Sequence, residues 1–196
     1  MEKNICVFCS SSEVVDIKYF NIAFELALEI ANRNDILVYG GAKVGLMGKI
    51  AKTVKENSGK VIGVIPEVIK NKGLAYDNLD ELIVTSTMHE RKSKLEDLAD
   101  SFIALPGGFG TLEEILEVIT LKQLEYHTKP IVILNTDNFY SKLLEQFEKL
   151  YEEDFSKSDY RSIYFVANSV EEAFNYIDSY KYNSTTSKWY KTNLNL

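Results

Sequence analysis

The chain has 196 residues and a formal net charge of −7, with 22 Lys and Arg against 29 Asp and Glu. This length fits one domain, and the acidic balance argues against a general nucleic-acid-binding surface. No apolar run approaches the roughly 20 residues that a membrane-spanning helix needs, and the first four residues lead directly into a short strand rather than a signal peptide. We therefore expect a cytoplasmic protein with neither a nucleic-acid nor a membrane partner.

Short apolar runs alternate with helical patterns along the chain. The predicted strands cover residues 5–8, 36–39, 61–65, 82–85, 102–105, 131–134 and 164–166, and the predicted helices cover residues 17–31, 45–57, 88–99, 111–124, 140–153 and 170–180. Nearly continuous Val, Ile and Leu are typical of strands buried on both faces of a parallel sheet. The alternation predicts a single-domain α/β fold at residues 1–180, Rossmann-like and doubly wound, with helices on both faces of the sheet. Residues 181–196 have no period and predict a polar tail.

Two cysteines, Cys6 and Cys9, lie at the first predicted strand. Residues three apart on a strand point to opposite faces, which disfavours both a redox pair and a shared metal ion. A second pair of ligands is missing, and His89 and His127 are distant in sequence. We therefore expect buried, reduced thiols and no metal site.

A glycine-rich turn at residues 39–48 joins the second strand to the second helix. Its glycines do not fit the G-x-G-x-x-G dinucleotide pattern. Leu46 and Met47 stand where a phosphate-binding loop of NTPases requires Lys and Ser or Thr. Tight strand-to-helix packing and ligand binding explain this turn equally well.

The helix after the fourth strand opens with Thr87, and Glu90 lies where a capping box would place it. Two adjacent cations, Arg91 and Lys92, fall in its first turn, where the helix dipole is already positive. A bound anion would relieve that conflict, and the planar guanidinium of Arg91 suits a phosphate or a sugar. The alternative is a solvated helix face with a Glu90–Lys94 pair. His89 is expected to be a surface or core residue rather than a ligand.

The most informative segment is residues 105–114, where a buried strand is followed by a glycine-rich turn and an amphipathic helix. Glycines allow an anion to approach the backbone, and the free N–H groups at the start of the helix point at it. Glu114 would then lie in the first helical turn beside a bound phosphate. Thr111 and Glu114 also fit a second capping box, and the local pattern does not decide between capping and catalysis.

Two motifs together resemble the Lonely Guy (LOG) family, the cytokinin riboside 5′-monophosphate phosphoribohydrolases. Residues 106–114 match P-G-G-x-G-T-x-x-E, and residues 88–92 match M-H-x-R-K. The resemblance extends in register from residue 5 to about residue 178. Ser10 and Ala42 replace common glycines of the family. Gly73 stands where many plant members carry a glutamate near the substrate, which bears on the preferred base.

The resemblance implies hydrolysis of the N-glycosidic bond of AMP or N6-modified AMP to free base and ribose 5-phosphate, without a cofactor. It implies a homodimer with active sites near the subunit interface, in which Arg91 and Glu114 are the catalytic pair. The substrate-binding residues it indicates are Ser10, Gly41, Met88, Arg91, Lys92, Gly107, Gly108, Phe109, Gly110, Thr111, Leu112, Glu113 and Thr120. The alternative is a non-catalytic carrier of a nucleotide or of the molybdenum cofactor. Family members are also often labelled lysine decarboxylases, but no residue presents itself as a Schiff-base lysine.

The sequence also gives expectations for stability. An arginine in a first helical turn is expected to be exposed, so that Arg91→Ala would cost little stability. If Glu114 caps its helix, Glu114→Gln would keep stability within about 1 kcal/mol.

Overall fold

The computed structural model describes residues 2–183 and is built around one seven-stranded sheet. The strands are β1 (Asn4–Phe8), β2 (Ile36–Tyr39), β3 (Lys60–Pro66), β4 (Glu81–Thr85), β5 (Ser101–Ala104), β6 (Ile131–Leu134) and β7 (Phe165–Ala167). Their order is β4-β3-β2-β1-β5-β6-β7, and every neighbouring pair is parallel. The predicted fold class is therefore confirmed.

In the described part of the chain, seven helices connect or follow these strands. They are α1 (Ile17–Asn32), α2 (Gly45–Glu56), α3 (Glu67–Lys70), α4 (Met88–Leu98), α5 (Phe109–Gln123), α6 (Ser141–Glu152) and α7 (Val170–Ser179). The six predicted helices agree with the structure to within two residues at each end. The helix α3 and two 3₁₀ turns, Thr136–Asn138 and Ser158–Ser162, were not predicted because they are too short to show a hydrophobic period.

The sheet separates two hydrophobic clusters, one on each face. Buried residues of α1, α2 and α7 form one cluster, and buried residues of α4, α5 and α6 form the other. Cys9 belongs to the first cluster and Cys6 to the second, so the predicted placement on opposite faces is confirmed. Both thiols are free and buried, and burial raises the pKa of each.

The chain direction across the sheet reverses between β1 and β5. Strands β2 to β4 extend on one side of β1, whereas β5 to β7 extend on the other. The loops that leave the carboxyl ends of β1 and β5 therefore diverge, and such a topological switch point opens a crevice where ligands bind. Within residues 2–183, no helix is long and apolar enough to cross a membrane.

The last described residues, 181–183, follow α7 without regular structure. The rest of the predicted tail, residues 184–196, lies outside the described residues.

Candidate functional site

A cavity of about 550 Å³ lies at the topological switch point. The end of β3 and the segments that follow β1, β2, β3 and β5 form its walls together with two residues of α4. The lining residues are Cys9, Ser10, Ser11, Ser12, Gly40, Ala42, Val44, Met47, Ile65, Pro66, Ile69, Leu74, Met88, Arg91, Gly108, Phe109, Gly110, Thr111 and Glu114. This position at the carboxyl ends of the strands is the one that the fold predicts for a ligand.

The glycine-rich turn after β2 packs the start of α2 against the loop after β1. The backbone carbonyl of Ser10 accepts hydrogen bonds from the N–H groups of Leu46 and Met47, at 2.9 and 3.3 Å. Two donors at the start of α2 are thus already satisfied and do not bind an anion. Gly40 has a different role, because a Cβ there would lie 2.3 Å from Nη2 of Arg91. This turn therefore serves helix packing, makes room for Arg91, and also lines the cavity through Gly40, Ala42, Val44 and Met47.

The start of α4 agrees with the capping box predicted from the sequence. Thr87 is the N-cap, and its hydroxyl accepts a hydrogen bond from the N–H of Glu90 at 3.1 Å. The Glu90 carboxylate accepts from the backbone N–H of Ser86 at 2.8 Å, rather than pairing with Lys94. His89 is exposed on this helix, as expected for a surface residue. The cap fixes the direction in which α4 presents Arg91.

Arg91 is buried, with 5 % of its surface exposed, so the expectation of an exposed arginine is wrong. Its Nη1 donates to Oε1 of Glu114 at 2.6 Å, and its Nε donates to the carbonyl of Val64 at 3.1 Å. Strand β3 and helix α5 thus supply the acceptors that make burial of this charge tolerable. The guanidinium is held rigidly between α4 and α5 at the wall of the cavity.

Helix α5 begins at Phe109, two residues earlier than predicted, with Gly108 as its N-cap. The first helical hydrogen bond runs from Leu112 N–H to Gly108 C=O at 3.0 Å. The N–H groups of Phe109, Gly110 and Thr111 therefore have no acceptor within the helix. These three residues line the cavity, so the start of α5 is suited to an anion.

This helix start rules out the second capping box. Thr111 is the third helical residue rather than the N-cap, so it cannot form a capping box with Glu114. Glu114 lies in the second turn of α5, not the first. Its carboxylate accepts the hydrogen bond from Arg91 at the wall of the cavity. The capping interpretation of Glu114 is therefore wrong, because a glycine without a side chain occupies the N-cap position.

Two packing contacts fix the loop that precedes α5. A Cβ on Gly107 would lie 2.1 Å from the hydroxyl oxygen of Thr111, so only glycine fits under that side chain. The buried hydroxyl of Tyr140 donates to the carbonyl of Leu105 at 2.6 Å. The loop between β5 and α5 is thus held at both of its ends.

The Arg91–Glu114 pair sets the electrostatics of the cavity. Burial raises the pKa of the Glu114 carboxyl, and the charge of Arg91 and its hydrogen bond oppose that rise by favouring the ionised form. Burial is the larger effect, so the pKa of Glu114 stays above its ordinary value while the group is held against one fixed cation. Such a carboxylate can stabilise positive charge that develops next to it.

The structure brings many of the residues indicated by the resemblance to this cavity. Those that line it are Ser10, Met88, Arg91, Gly108, Phe109, Gly110, Thr111 and Glu114, whereas Gly41, Lys92, Gly107, Leu112, Glu113 and Thr120 do not. The Lys92 ammonium forms ion pairs with Glu113 and Glu117 beside the cavity. Thr120 is exposed further along α5, where its hydroxyl donates to the Leu116 carbonyl at 2.7 Å.

One wall of the cavity is apolar and was not predicted. It consists of Val44, Met47, Ile65, Ile69 and Leu74. These residues come from α2, β3, α3 and two loops, so no single periodic segment of the sequence indicates that they form one binding surface. Gly73 lies outside this wall and lines a separate cavity of about 310 Å³ together with Lys43 and Lys70.

Comparison with known proteins identifies several similar sequences and structures. The family described as "Possible lysine decarboxylase" matches residues 47–177. The chain is 43 % identical to the cytokinin riboside 5′-monophosphate phosphoribohydrolase LOG2 of Arabidopsis thaliana, over 91 % of this chain and 84 % of the relative. It is 41 % identical to LOG5 of the same plant, over 91 % and 78 %. A molybdenum cofactor binding protein from Rippkaea orientalis has a similar structure, with a TM-score of 0.70, 26 % identity, and coverage of 91 % and 97 %.

Proposed function

The chain belongs to the LOG family of phosphoribohydrolases, and we propose on that basis that it hydrolyses the N-glycosidic bond of nucleoside 5′-monophosphates. The substrates are AMP and N6-modified AMP, and the products are the free base and ribose 5-phosphate. The observation that carries this proposal is the buried Arg91–Glu114 pair, which lies in the same cavity as the free N–H groups at the start of α5.

The start of α5 holds the 5′-phosphate. The N–H groups of Phe109, Gly110 and Thr111 donate to the phosphate oxygens, and the helix dipole favours their negative charge. This contact is remote from the reacting carbon. Phosphate binding therefore orients the ribose in the cavity although the phosphate takes no part in breaking the glycosidic bond.

Glu114 acts on the ribose. Cleavage of an N-glycosidic bond builds positive charge on the sugar ring, as in other glycoside hydrolysis. The Glu114 carboxylate stabilises that charge or orients the attacking water. Arg91 keeps the carboxylate ionised and in place, and its own planar group donates to the ribose or the phosphate.

The apolar wall receives the base. Met47, Ile65 and Leu74 offer a surface that matches a flat purine and an apolar substituent on its N6 atom. The apolar wall is the evidence for an adenine-type base, whereas the start of α5 is evidence only for a phosphate group.

The test compares AMP, isopentenyl-AMP and adenosine as substrates, with the released base as readout. We expect release of base from both nucleotides and little or none from adenosine, because the start of α5 has no partner when the phosphate is absent. Comparable turnover of adenosine and AMP would overturn the role of the glycine loop. Tight nucleotide binding without release of base would favour the carrier alternative. The structural neighbour from Rippkaea orientalis is a molybdenum cofactor binding protein.

The outer face of α5 supports a homodimer. Leu116 on α5 is 38 % exposed, and Leu124 and Tyr126, which follow the helix, are 37 % and 78 % exposed. Ile115 and Val118 on the same helix are buried, so α5 carries more apolar surface than one packed face requires. Light scattering of an active sample at micromolar concentration is expected to give the mass of a dimer, and a monomeric mass would contradict it. A cytoplasmic location completes the proposal.

A further inference from the structure

The carboxyl end of α5 carries a buried charge that the proposed reaction does not use. Lys122 lies in the last turn of this helix and is 3 % exposed. Its ammonium has no hydrogen-bond partner among residues 2–183 and lies 4.7 Å from the centroid of the Tyr180 ring. A buried ammonium that lacks a hydrogen-bond acceptor is unfavourable. In accordance with that cost, burial lowers the pKa of Lys122 to about 8.

Lys122 lines a second cavity, of about 300 Å³. Its walls include the rings of Tyr176, Tyr180 and Tyr182 and a second cation, Lys181. The described residues that line it include no carboxylate, although the chain as a whole has a net charge of −7. This cavity thus has two lysines and aromatic rings in its walls, and it is large enough for a small ligand.

The chemistry of the walls indicates the charge of the ligand. The carboxyl ends of α5 and α7 both reach this cavity, and each contributes partial negative charge. A multiply charged phosphate would be repelled by these helix ends and would find no series of free N–H groups like that at the start of α5. A single carboxylate would neutralise Lys122, and a planar ring would match the tyrosine walls.

We propose that this cavity is a second ligand site that binds a small aromatic carboxylate, with Lys122 as its charged anchor. The ligand's carboxylate accepts a hydrogen bond from Nζ of Lys122, and its ring lies among the three tyrosines. The site is separate from the nucleotide cavity, since the two share no lining residue.

The test titrates benzoate into the full-length protein by calorimetry, with benzyl alcohol as the neutral analogue. We expect saturable benzoate binding with a Kd on the order of 1 mM or tighter. Benzyl alcohol and Lys122→Met are each expected to weaken binding at least tenfold. The matched control Lys142→Met, which changes an exposed lysine, should bind benzoate like the parent. Equal benzoate affinity in Lys122→Met, or no binding to the parent protein, would overturn the proposal.

Two further measurements locate the site and separate it from the reaction. In Glu114→Gln, which should bind AMP but hydrolyse it slowly, saturating AMP should leave benzoate affinity unchanged. Amide chemical-shift changes caused by benzoate should fall on residues 176–183 rather than on residues 107–111. Lys122→Met should retain AMP hydrolysis at the parent rate, which shows that the variant is folded. Displacement of benzoate by AMP would assign binding to the nucleotide cavity and overturn the second site. The inference therefore stands or falls independently of the proposed reaction.

Discussion

The side chain at position 114 shows how one residue acquires its role from its surroundings. Its local pattern fits a helix cap, but its carboxylate lies 2.6 Å from Nη1 of Arg91 in a buried pair. Glutamine could serve as a cap, whereas only a carboxylate can both neutralise Arg91 and face a cationic transition state. The stability and the activity of this protein therefore depend on the same charge.

For Glu114→Gln we expect turnover of AMP to fall by about 10²-fold or more, the usual order for loss of one electrostatic stabiliser. AMP binding should survive, because the backbone N–H groups of α5 remain in place. The measurements are adenine release and the Kd of AMP. Glu117→Gln, on the next turn of the same helix, is the matched control and should keep the parent rate. A Glu114→Gln enzyme that hydrolyses AMP at the parent rate would remove Glu114 from the mechanism.

The Arg91→Met variant should be markedly less stable than the parent, whereas the sequence alone suggested little loss of stability when Arg91 is replaced. Removing one partner leaves the Glu114 carboxylate buried without its cation, which costs about 3–5 kcal/mol. The double variant Arg91→Met, Glu114→Gln should regain part of that loss, since neither charge then remains buried. Denaturant unfolding of the parent, both single variants and the double variant measures this coupling. Strict additivity of the two single losses would contradict it.

At the scale of elements, the start of each helix decides what its N–H groups bind. The first donors of α2 are satisfied by the Ser10 carbonyl, and α4 is capped by the Thr87 side chain. Helix α5 begins at a glycine, and no side chain caps it. The two glycine-rich turns look alike in the sequence but differ in function. At the start of α2 the Ser10 carbonyl already accepts from the free N–H groups, whereas those at the start of α5 remain available.

Gly107→Ala tests the geometry of the α5 start. Its Cβ would meet the Thr111 hydroxyl oxygen at 2.1 Å, so the loop or the first helical turn must shift. We expect KM for AMP to rise at least about tenfold, the effect of losing roughly 1.4 kcal/mol of phosphate binding. Gly108→Ala is the structural control, because a Cβ at this position would meet no atom within 4 Å. Its melting temperature should equal that of the parent. An unchanged KM in Gly107→Ala would show that this loop does not hold the phosphate.

At the scale of the whole molecule, the pH dependence of unfolding reports a half-buried histidine, His127. Nε2 of His127 lies 2.9 Å from the Val118 carbonyl, and Nδ1 accepts from the N–H of Lys129 at 3.2 Å. The neutral ring satisfies both contacts, and protonation would destroy the acceptor. Burial accordingly lowers the pKa of His127 to about 4 from 6.5.

Because the unfolded chain binds this proton more tightly, stability should be lost as pH falls from 6.5 towards 4. The loss from this residue alone should reach about 2 kcal/mol at pH 5. Urea unfolding between pH 7 and pH 5 measures it, with His127→Gln as the control that lacks the titration. If the free energy of unfolding falls equally with pH in the parent and in the His127→Gln variant, His127 is not the group responsible.

The sequence by itself determined the layers of this protein. Runs of Val, Ile and Leu predicted β2 and β6 to the residue, and the period of two placed Cys6 and Cys9 on opposite faces. The Thr87 cap was also predictable, since it depends on residues within one turn. These features are local, and local chemistry is sufficient to specify them.

Only the tertiary structure decided how the site is built. The partners of Arg91 are the Val64 carbonyl and Glu114, which lie 27 and 23 residues away in the chain. Neither the burial of Arg91 nor the apolar wall of the cavity has a periodic signal. The carboxylate of Glu114 received its role when α4 and α5 packed on the same face of the sheet, because a buried charge is tolerated only where folding brings it an opposite charge.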